Sequence, residues 1–196
     1  MGTRIGIFVF DGVEELDFVG PYEVLATWAH LWPDREVEVF TFARERGPVE
    51  CAKGLTVVPH HTWESAGAID VLIYPGGHGN RVHLGDAGIA RWLEQLAGSG
   101  TLMTSVCTGA LVFADAGLLD GRPATTYWAS VDEMASLGSD IEARGDARFV
   151  DDGDVITSAG VSAGIDMALH LVARLDSTAR AKVVRRAIQY DPEPPV

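Results

Sequence analysis

The segment TLMTSVCTG, residues 101–109, determines the fold expected for this chain of 196 residues. Residues 101–106 form a short, largely apolar run that predicts a buried strand, and Cys107 follows it directly. Residues 110–119 then show the pattern of a helix. Small residues lie two positions before and two positions after the cysteine, as a tight strand-to-helix turn requires. The segment therefore predicts an α/β fold with a cysteine on a nucleophile elbow.

The rest of the chain alternates between strand patterns and helix patterns. Strands are predicted in residues 5–10, 37–42 and 71–74, a β excursion in residues 48–62, and a hairpin in residues 149–156. One helix is predicted to start at Gly20-Pro21, a second to end near Gly98, and two more to cover residues 161–175 and 178–188. An extended tail through Pro192, Pro194 and Pro195 is predicted to follow them. This alternation predicts an α/β sandwich with a mainly parallel central sheet, and the length suits a single domain over residues 1–196.

Composition narrows the classes of function. The net charge of −13 would repel a phosphate backbone, so we expect no nucleic-acid partner. The two cysteines, Cys51 and Cys107, lie far apart, which disfavours a disulfide framework or a zinc site. No stretch approaches the roughly 20 apolar residues of a membrane span. The first residues lack the pattern of a signal peptide, so we expect a cytoplasmic protein with no membrane partner.

Three predicted strand ends carry chemically unusual residues. These segments are residues 11–17, residues 76–78 and residues 107–109. In sheets of this kind, working residues collect at the carboxyl ends of the strands. We therefore expect the three segments to meet in one site.

Each segment has a functional interpretation and a plainer one. Cys107 at a helix N-terminus is expected to be a stabilised thiolate, although buried structural cysteines are common. Gly76 and Gly77 could aim N–H groups at an anion or simply form a tight turn. Asp17 lies between apolar neighbours and could face the thiol, or it could be solvated. His78 extends the glycine turn and could line the mouth of the pocket.

A set of motifs resembles the ThiJ/PfpI superfamily, whose domains are related to class I glutamine amidotransferases. The motifs occupy residues 16–21, 75–77, 105–110, 116–121, 124–126 and 162–166, and the resemblance continues to residues 190–192. Within the superfamily the chain is most similar to the isonitrile hydratases and to the amidase-like domains of certain transcription regulators. Those regulators add a DNA-binding domain, for which we expect this chain to have no room.

The resemblance implies a flavodoxin-like sandwich and a homodimer with its active site near the subunit interface, without a metal or an organic cofactor. It implies that Cys107 is the nucleophile and Asp17 its acid/base partner. Because the helix N-terminus favours the thiolate and two adjacent anions would repel, we expect Asp17 to hold the shared proton at neutral pH. Thr108 would be a third catalytic residue, hydrogen-bonded near the site. The residues expected to bind the substrate or an oxyanion are Gly76, Gly77, His78, Tyr127 and Val161.

Two positions depart from relatives. Thr108 follows the cysteine where protease-like members place histidine, which disfavours a Cys-His peptidase. Tyr127 stands where close relatives commonly have histidine. The resemblance implies hydration of a small-molecule isonitrile to an N-substituted formamide through a thioimidate on Cys107. The alternatives are a glyoxalase-like or deglycase-like enzyme that acts on reactive carbonyls, and a non-enzymatic redox or ligand sensor with an oxidisable thiol.

Overall fold

A computed structural model describes residues 2–192, and its centre is a seven-stranded sheet. The strands are β1 (Arg4–Phe8), β2 (Glu38–Ala43), β3 (Val49–Glu50), β4 (Thr56–Val57), β5 (His61–Thr62), β6 (Val71–Tyr74), β7 (Leu102–Val106), β8 (Pro123–Ala124), β9 (Glu142–Ala143), β10 (Phe149–Asp151) and β11 (Val155–Ser158). The main sheet has the order β10-β11-β7-β6-β1-β2-β5, and every neighbouring pair in it is parallel except β10 with β11. The prediction of a mainly parallel α/β fold is confirmed.

Six helices and three short 3-10 turns surround the sheet in the described part of the chain. They are α1 (Glu15–Leu31), α2 (Ala87–Gly98), α3 (Gly109–Asp115), α4 (Val131–Leu137), α5 (Ala163–Leu175) and α6 (Thr178–Ala187), with 3-10 turns at Pro33–Arg35, His78–His83 and Trp128–Ser130. Helices α1, α5 and α6 pack on one another, while α3 packs against α2 and α4. None of the helices within residues 2–192 is long and apolar enough to cross a membrane.

Strands β1, β6 and β7 lie side by side at the centre of the sheet. All four residues of β6 are buried, which explains why its sequence is continuously apolar. The parallel register pairs Tyr74 at the end of β6 with Ser105 near the end of β7. The segments that follow these three strands therefore emerge at one edge, as the sequence predicted. Within the excursion predicted for residues 48–62, β3 and β4 form a separate antiparallel pair, whereas β5 joins the main sheet beside β2. The predicted hairpin is β10–β11.

Three helix boundaries differ from the prediction. Helix α1 begins at Glu15 and runs through Pro21, which is buried against α5: a Cβ built on Gly164 would lie 3.2 Å from the Pro21 ring. Helix α3 ends at Asp115, well before residue 119. Helix α5 begins at Ala163, because Val161 has a left-handed φ of 52° that a helix cannot contain. Of the predicted extended tail, Pro194 and Pro195 lie outside the described residues.

Candidate active site

Cys107 occupies a sharp turn between β7 and α3. Its φ is 58°, a left-handed conformation that is costly for any residue with a side chain. Three contacts hold the turn: the Cys107 N–H donates to Ser158 O at 3.1 Å, the Thr126 hydroxyl donates to Cys107 O at 2.7 Å, and Gly109 packs so closely that a Cβ would lie 2.2 Å from Tyr74 O. The predicted elbow is therefore present in the fold.

Asp17 reaches the thiol from the first turn of α1. Its side chain is fully buried, and its Oδ2 accepts the Gly76 N–H at 2.9 Å. The other oxygen, Oδ1, is buried without a short hydrogen bond. The carboxyl interacts with the Cys107 thiol and with the backbone N–H of Val161. The fold thus brings together a thiol and a carboxyl that lie 90 positions apart in the sequence (107 against 17).

The protonation of this pair differs from the prediction. Burial raises the pKa of Asp17 to about 7, although the Gly76 N–H acts in the opposite direction. Burial and the charge of Asp17 raise the pKa of the Cys107 thiol to about 12, and the N–H groups of Thr108 and Val161 offset only part of this rise. The prediction of a stabilised thiolate is therefore not supported: the thiol is only 6% exposed, and burial outweighs the N–H groups that face the sulfur. Both shifts favour a protonated thiol at neutral pH, and a pKa of about 7 lets the Asp17 carboxyl exchange protons there.

This raised carboxyl pKa makes stability depend on pH. Because Asp17 binds its proton more tightly in the folded protein than at its ordinary pKa of 3.8, its contribution to stability is lost as pH rises from about 4 to about 7. We expect Asp17→Asn to increase the free energy of unfolding at pH 8 by roughly 1 to 4 kcal/mol, and the gain to shrink toward pH 4. Urea denaturation of both proteins between about pH 4 and pH 8 measures this gain in the free energy of unfolding. Glu23→Gln, at an exposed position on α1, is the control. If Asp17→Asn raised the free energy of unfolding equally at every pH, that result would contradict a raised pKa for Asp17.

The two glycines after β6 lie inside the site. A Cβ on Gly76 would be 2.5 Å from Thr108 Oγ1 and 3.0 Å from Asp17 Oδ2, so no larger residue fits there. The Gly76 N–H is bound by Asp17, and the Gly77 N–H donates to Thr108 Oγ1 at 3.0 Å. Neither glycine N–H is therefore free, in contrast to the oxyanion hole expected from the sequence. The N–H groups that face the sulfur belong to Thr108 and Val161.

The other predicted pocket residues lie at different depths. Val161 contributes its backbone, and its left-handed φ directs the N–H to the thiol–carboxyl pair. Tyr127 is half-buried, and its ring packs on Gly160. A Cβ built on Gly160 would lie only 2.4 Å from that ring. His78 is exposed, with its ring beside Gly12, and within residues 2–192 it makes no hydrogen bond to the pair.

One residue of the site was not found from the sequence. Asn80 is fully buried, and its Nδ2 donates to Thr108 O at 2.8 Å and to Thr108 Oγ1 at 3.1 Å. The only signal was its position just beyond the glycine turn. Cys51 is also buried, and burial raises the pKa of its thiol. Over residues 2–192 no three His, Cys, Asp or Glu side chains are grouped to hold a metal ion.

Comparison with known proteins gives four informative similarities. The sequence model of the DJ-1/PfpI family matches residues 3–174. Isonitrile hydratase of Pseudomonas putida is 38% identical over 195 residues, which covers 100% of this chain and 82% of that protein. The crystal structure of a ThiJ/PfpI family protein from Pseudomonas syringae has a TM-score of 0.88 and 31% identity, covering 100% of this chain and 78% of the other. A deglycase of Pyrococcus abyssi is 28% identical over 158 residues, covering 79% of this chain and 89% of that protein. These likenesses confirm the flavodoxin-like architecture.

Proposed function

The chain belongs to the DJ-1/PfpI family, and we propose that it is a cysteine-dependent hydro-lyase that hydrates an isonitrile to an N-substituted formamide. The buried pair of Cys107 and Asp17 carries the proposal, because it combines a nucleophile with a group that can exchange protons near neutral pH. Similarity to isonitrile hydratase over the whole chain supports this substrate class over others in the family.

In the first half of the reaction, the Cys107 thiol adds to the terminal carbon of the isonitrile. As the sulfur bonds to that carbon, the Asp17 carboxylate takes the thiol proton and passes it to the same carbon. The product is a thioimidate whose carbon bears one hydrogen, the sulfur and a double bond to nitrogen. No group leaves and no net charge is created, which suits a largely buried thiol.

In the second half, water releases the formamide. Asp17 takes one proton from the water as the oxygen bonds to the thioimidate carbon, and passes that proton to the nitrogen. It then takes the remaining hydroxyl proton and returns it to the sulfur of Cys107 as the carbon–sulfur bond breaks. The oxygen becomes the formamide carbonyl, and both side chains recover their starting protonation.

Thr108 supplies a hydrogen bond to the substrate in this scheme. The isonitrile nitrogen gains a free lone pair when the carbon is attacked, and a hydroxyl donor nearby stabilises it. Thr108 is only partly buried, and its Oγ1 and the Asp17 Oδ2 flank Gly76. The side chain is therefore placed to contact a substrate held beside the pair.

Two alternatives remain, and a relative supports the first of them. The deglycase relative makes a carbonyl substrate the second candidate, with the same thiol adding to the carbonyl carbon. A sensor would use Cys107 without turnover. Purified protein assayed against aryl and alkyl isonitriles and against methylglyoxal distinguishes the three. Catalytic formamide release is the expected result; methylglyoxal consumption without formamide, or stoichiometric oxidation of Cys107 alone, would overturn it.

Tyr127 is proposed to shape the substrate pocket without taking part in proton transfer. Its ring packs against Gly160, next to the Val161 N–H that faces the pair. A phenol seldom gives up its proton near neutral pH, and Tyr127→Phe keeps the ring. We expect this variant to change the relative kcat/KM among isonitriles of different size by less than about tenfold. A uniform loss of roughly a hundredfold in kcat would show instead that the hydroxyl is an acid.

The protein is also proposed to be a homodimer. Large apolar side chains remain exposed on α1 and beside the β3–β4 pair, and the two elements are joined by the Lys53 N–H, which donates to Glu15 Oε1 at 2.6 Å. These side chains are Leu16, Val19, Leu55 and Val58. Large apolar side chains exposed on two such connected elements are typical of an interface.

Light scattering tests this proposal. Wild type should give twice the mass of one chain, and Val58→Lys should shift the population toward monomer because Val58 is 76% exposed in the single chain. Val183→Lys on α6 is the matched control and should remain dimeric. A monomeric wild type at micromolar concentration would overturn the proposal.

A further inference from the structure

Asn80 fixes the position of the Thr108 hydroxyl. It lies in the 3-10 turn His78–His83 and is fully buried. Its side-chain nitrogen is 2.8 Å from the carbonyl oxygen of Thr108 and 3.1 Å from the hydroxyl oxygen of the same residue. Because a carbonyl can only accept, the nearby amide atom must be the NH2 group, and the orientation of the Asn80 amide is thereby determined.

The hydrogen bonds to Thr108 determine where its proton can go. Thr108 Oγ1 receives the Gly77 N–H at 3.0 Å as well as the Asn80 NH2. A hydroxyl has two acceptor positions and one proton, so both acceptor positions are filled. No acceptor for the proton is found among residues 2–192. The Thr108 hydroxyl can therefore donate its proton to a ligand, and the Gly77 N–H and the Asn80 NH2 polarise its oxygen.

The buried oxygen of Asn80 indicates that the amide is kept for its NH2 group. Asn80 Oδ1 has no hydrogen-bond donor within the described residues. A buried acceptor without a donor is unfavourable, and an apolar side chain of the same size would fill this space without that penalty. The geometry therefore argues against a purely space-filling role.

We propose that Asn80 is a positioning residue that holds the Thr108 hydroxyl as a hydrogen-bond donor to the nitrogen of the isonitrile. The inference rests on the proposed function for the identity of that acceptor. Asn80 itself does not touch the substrate; it acts through Thr108, which the Gly77 N–H and the Asn80 NH2 orient from the protein side.

A double-mutant cycle tests this coupling. Asn80→Leu removes the donor while keeping the volume, and Thr108→Val removes the hydroxyl. Asn80→Leu alone should lower kcat at least about tenfold with KM changed less than about twofold, and in the Thr108→Val background it should cost less than about twofold. Val82→Ala, an exposed change in the same 3-10 turn, should leave kcat unchanged. Equal losses in both backgrounds would overturn the proposal, as would a loss of kcat that merely follows a loss of thermal stability.

A second readout needs no substrate. Exchange of the Gly77 amide hydrogen reports whether Thr108 Oγ1 stays in place to accept it, because the two groups are 3.0 Å apart. Asn80→Leu should speed this exchange by at least about fivefold, and unchanged exchange would contradict the positioning role. If wild type converts methylglyoxal instead of isonitriles, the proposed function fails while the same cycle, run on methylglyoxal, still decides the role of Asn80.

Discussion

Asp17→Asn is expected to lower kcat for isonitrile hydration by at least about a hundredfold, the usual scale for the loss of a general acid/base. The carboxyl is buried beside the Cys107 thiol, and its pKa of about 7 lets it take and return protons at neutral pH. The amide keeps the size of the side chain and can still accept the Gly76 N–H, which is 2.9 Å from Oδ2 in the wild type. It cannot exchange a proton, so chemistry should fail in a protein that is folded.

The pH profile provides a second measurement on the same variant. In wild type, kcat/KM should rise with pH through an apparent pKa near 7 as Asp17 becomes able to accept the thiol proton. In Asp17→Asn that titration should be absent from the residual activity. Glu23→Gln, on the exposed side of α1, should retain both the rate and the profile. Near-normal turnover by Asp17→Asn would remove Asp17 from the mechanism and direct attention to Glu15, the neighbouring carboxylate at the start of α1.

Cys107→Ser is expected to reduce formamide production further, by at least about a thousandfold. A serine hydroxyl is a far weaker nucleophile than a thiol, and a base with a pKa of about 7 cannot ionise it effectively. Folding should be little affected, because the backbone of Cys107 is held by the Ser158 carbonyl and the Thr126 hydroxyl rather than by the sulfur. The measurement is formamide release under saturating isonitrile.

Cys51→Ser is the matched control for that loss. Cys51 is 4% exposed and follows β3, and it is not part of the elbow between β7 and α3. Its replacement should leave kcat within about twofold of wild type, even if it lowers stability slightly. Equal activity losses in the two serine variants would contradict a special role for the thiol on the elbow.

Much of this site could be predicted because its signals are local. The elbow at Cys107 follows from a strand, small flanking residues and a helix that all lie within residues 101–119. The meeting of the three strand ends follows from the parallel order of β1, β6 and β7. By contrast, Pro21 was misinterpreted as the start of a helix, because its burial against α5 depends on residues more than a hundred positions away.

The features that were missed depend on burial and on distant partners. The thiol pKa was expected to fall because a helix follows Cys107, but burial of the side chain outweighs the N–H groups of that helix end. Asn80 acts on Thr108, which is 28 positions away, and no pattern within its own segment indicates that contact. The left-handed backbone of Val161 was likewise invisible, since valine is rarely found in that conformation.

The central claim is that Cys107 forms a covalent thioimidate during isonitrile hydration. Rapid quenching of wild type with excess isonitrile, followed by intact-mass and peptide mass spectrometry, tests it most directly. We predict an adduct on the peptide containing Cys107 whose added mass equals that of the whole isonitrile, because addition expels no atoms, and this adduct should appear and decay as fast as formamide is released. If wild type released formamide while Cys107 remained unmodified at every quench time, the result would contradict the account.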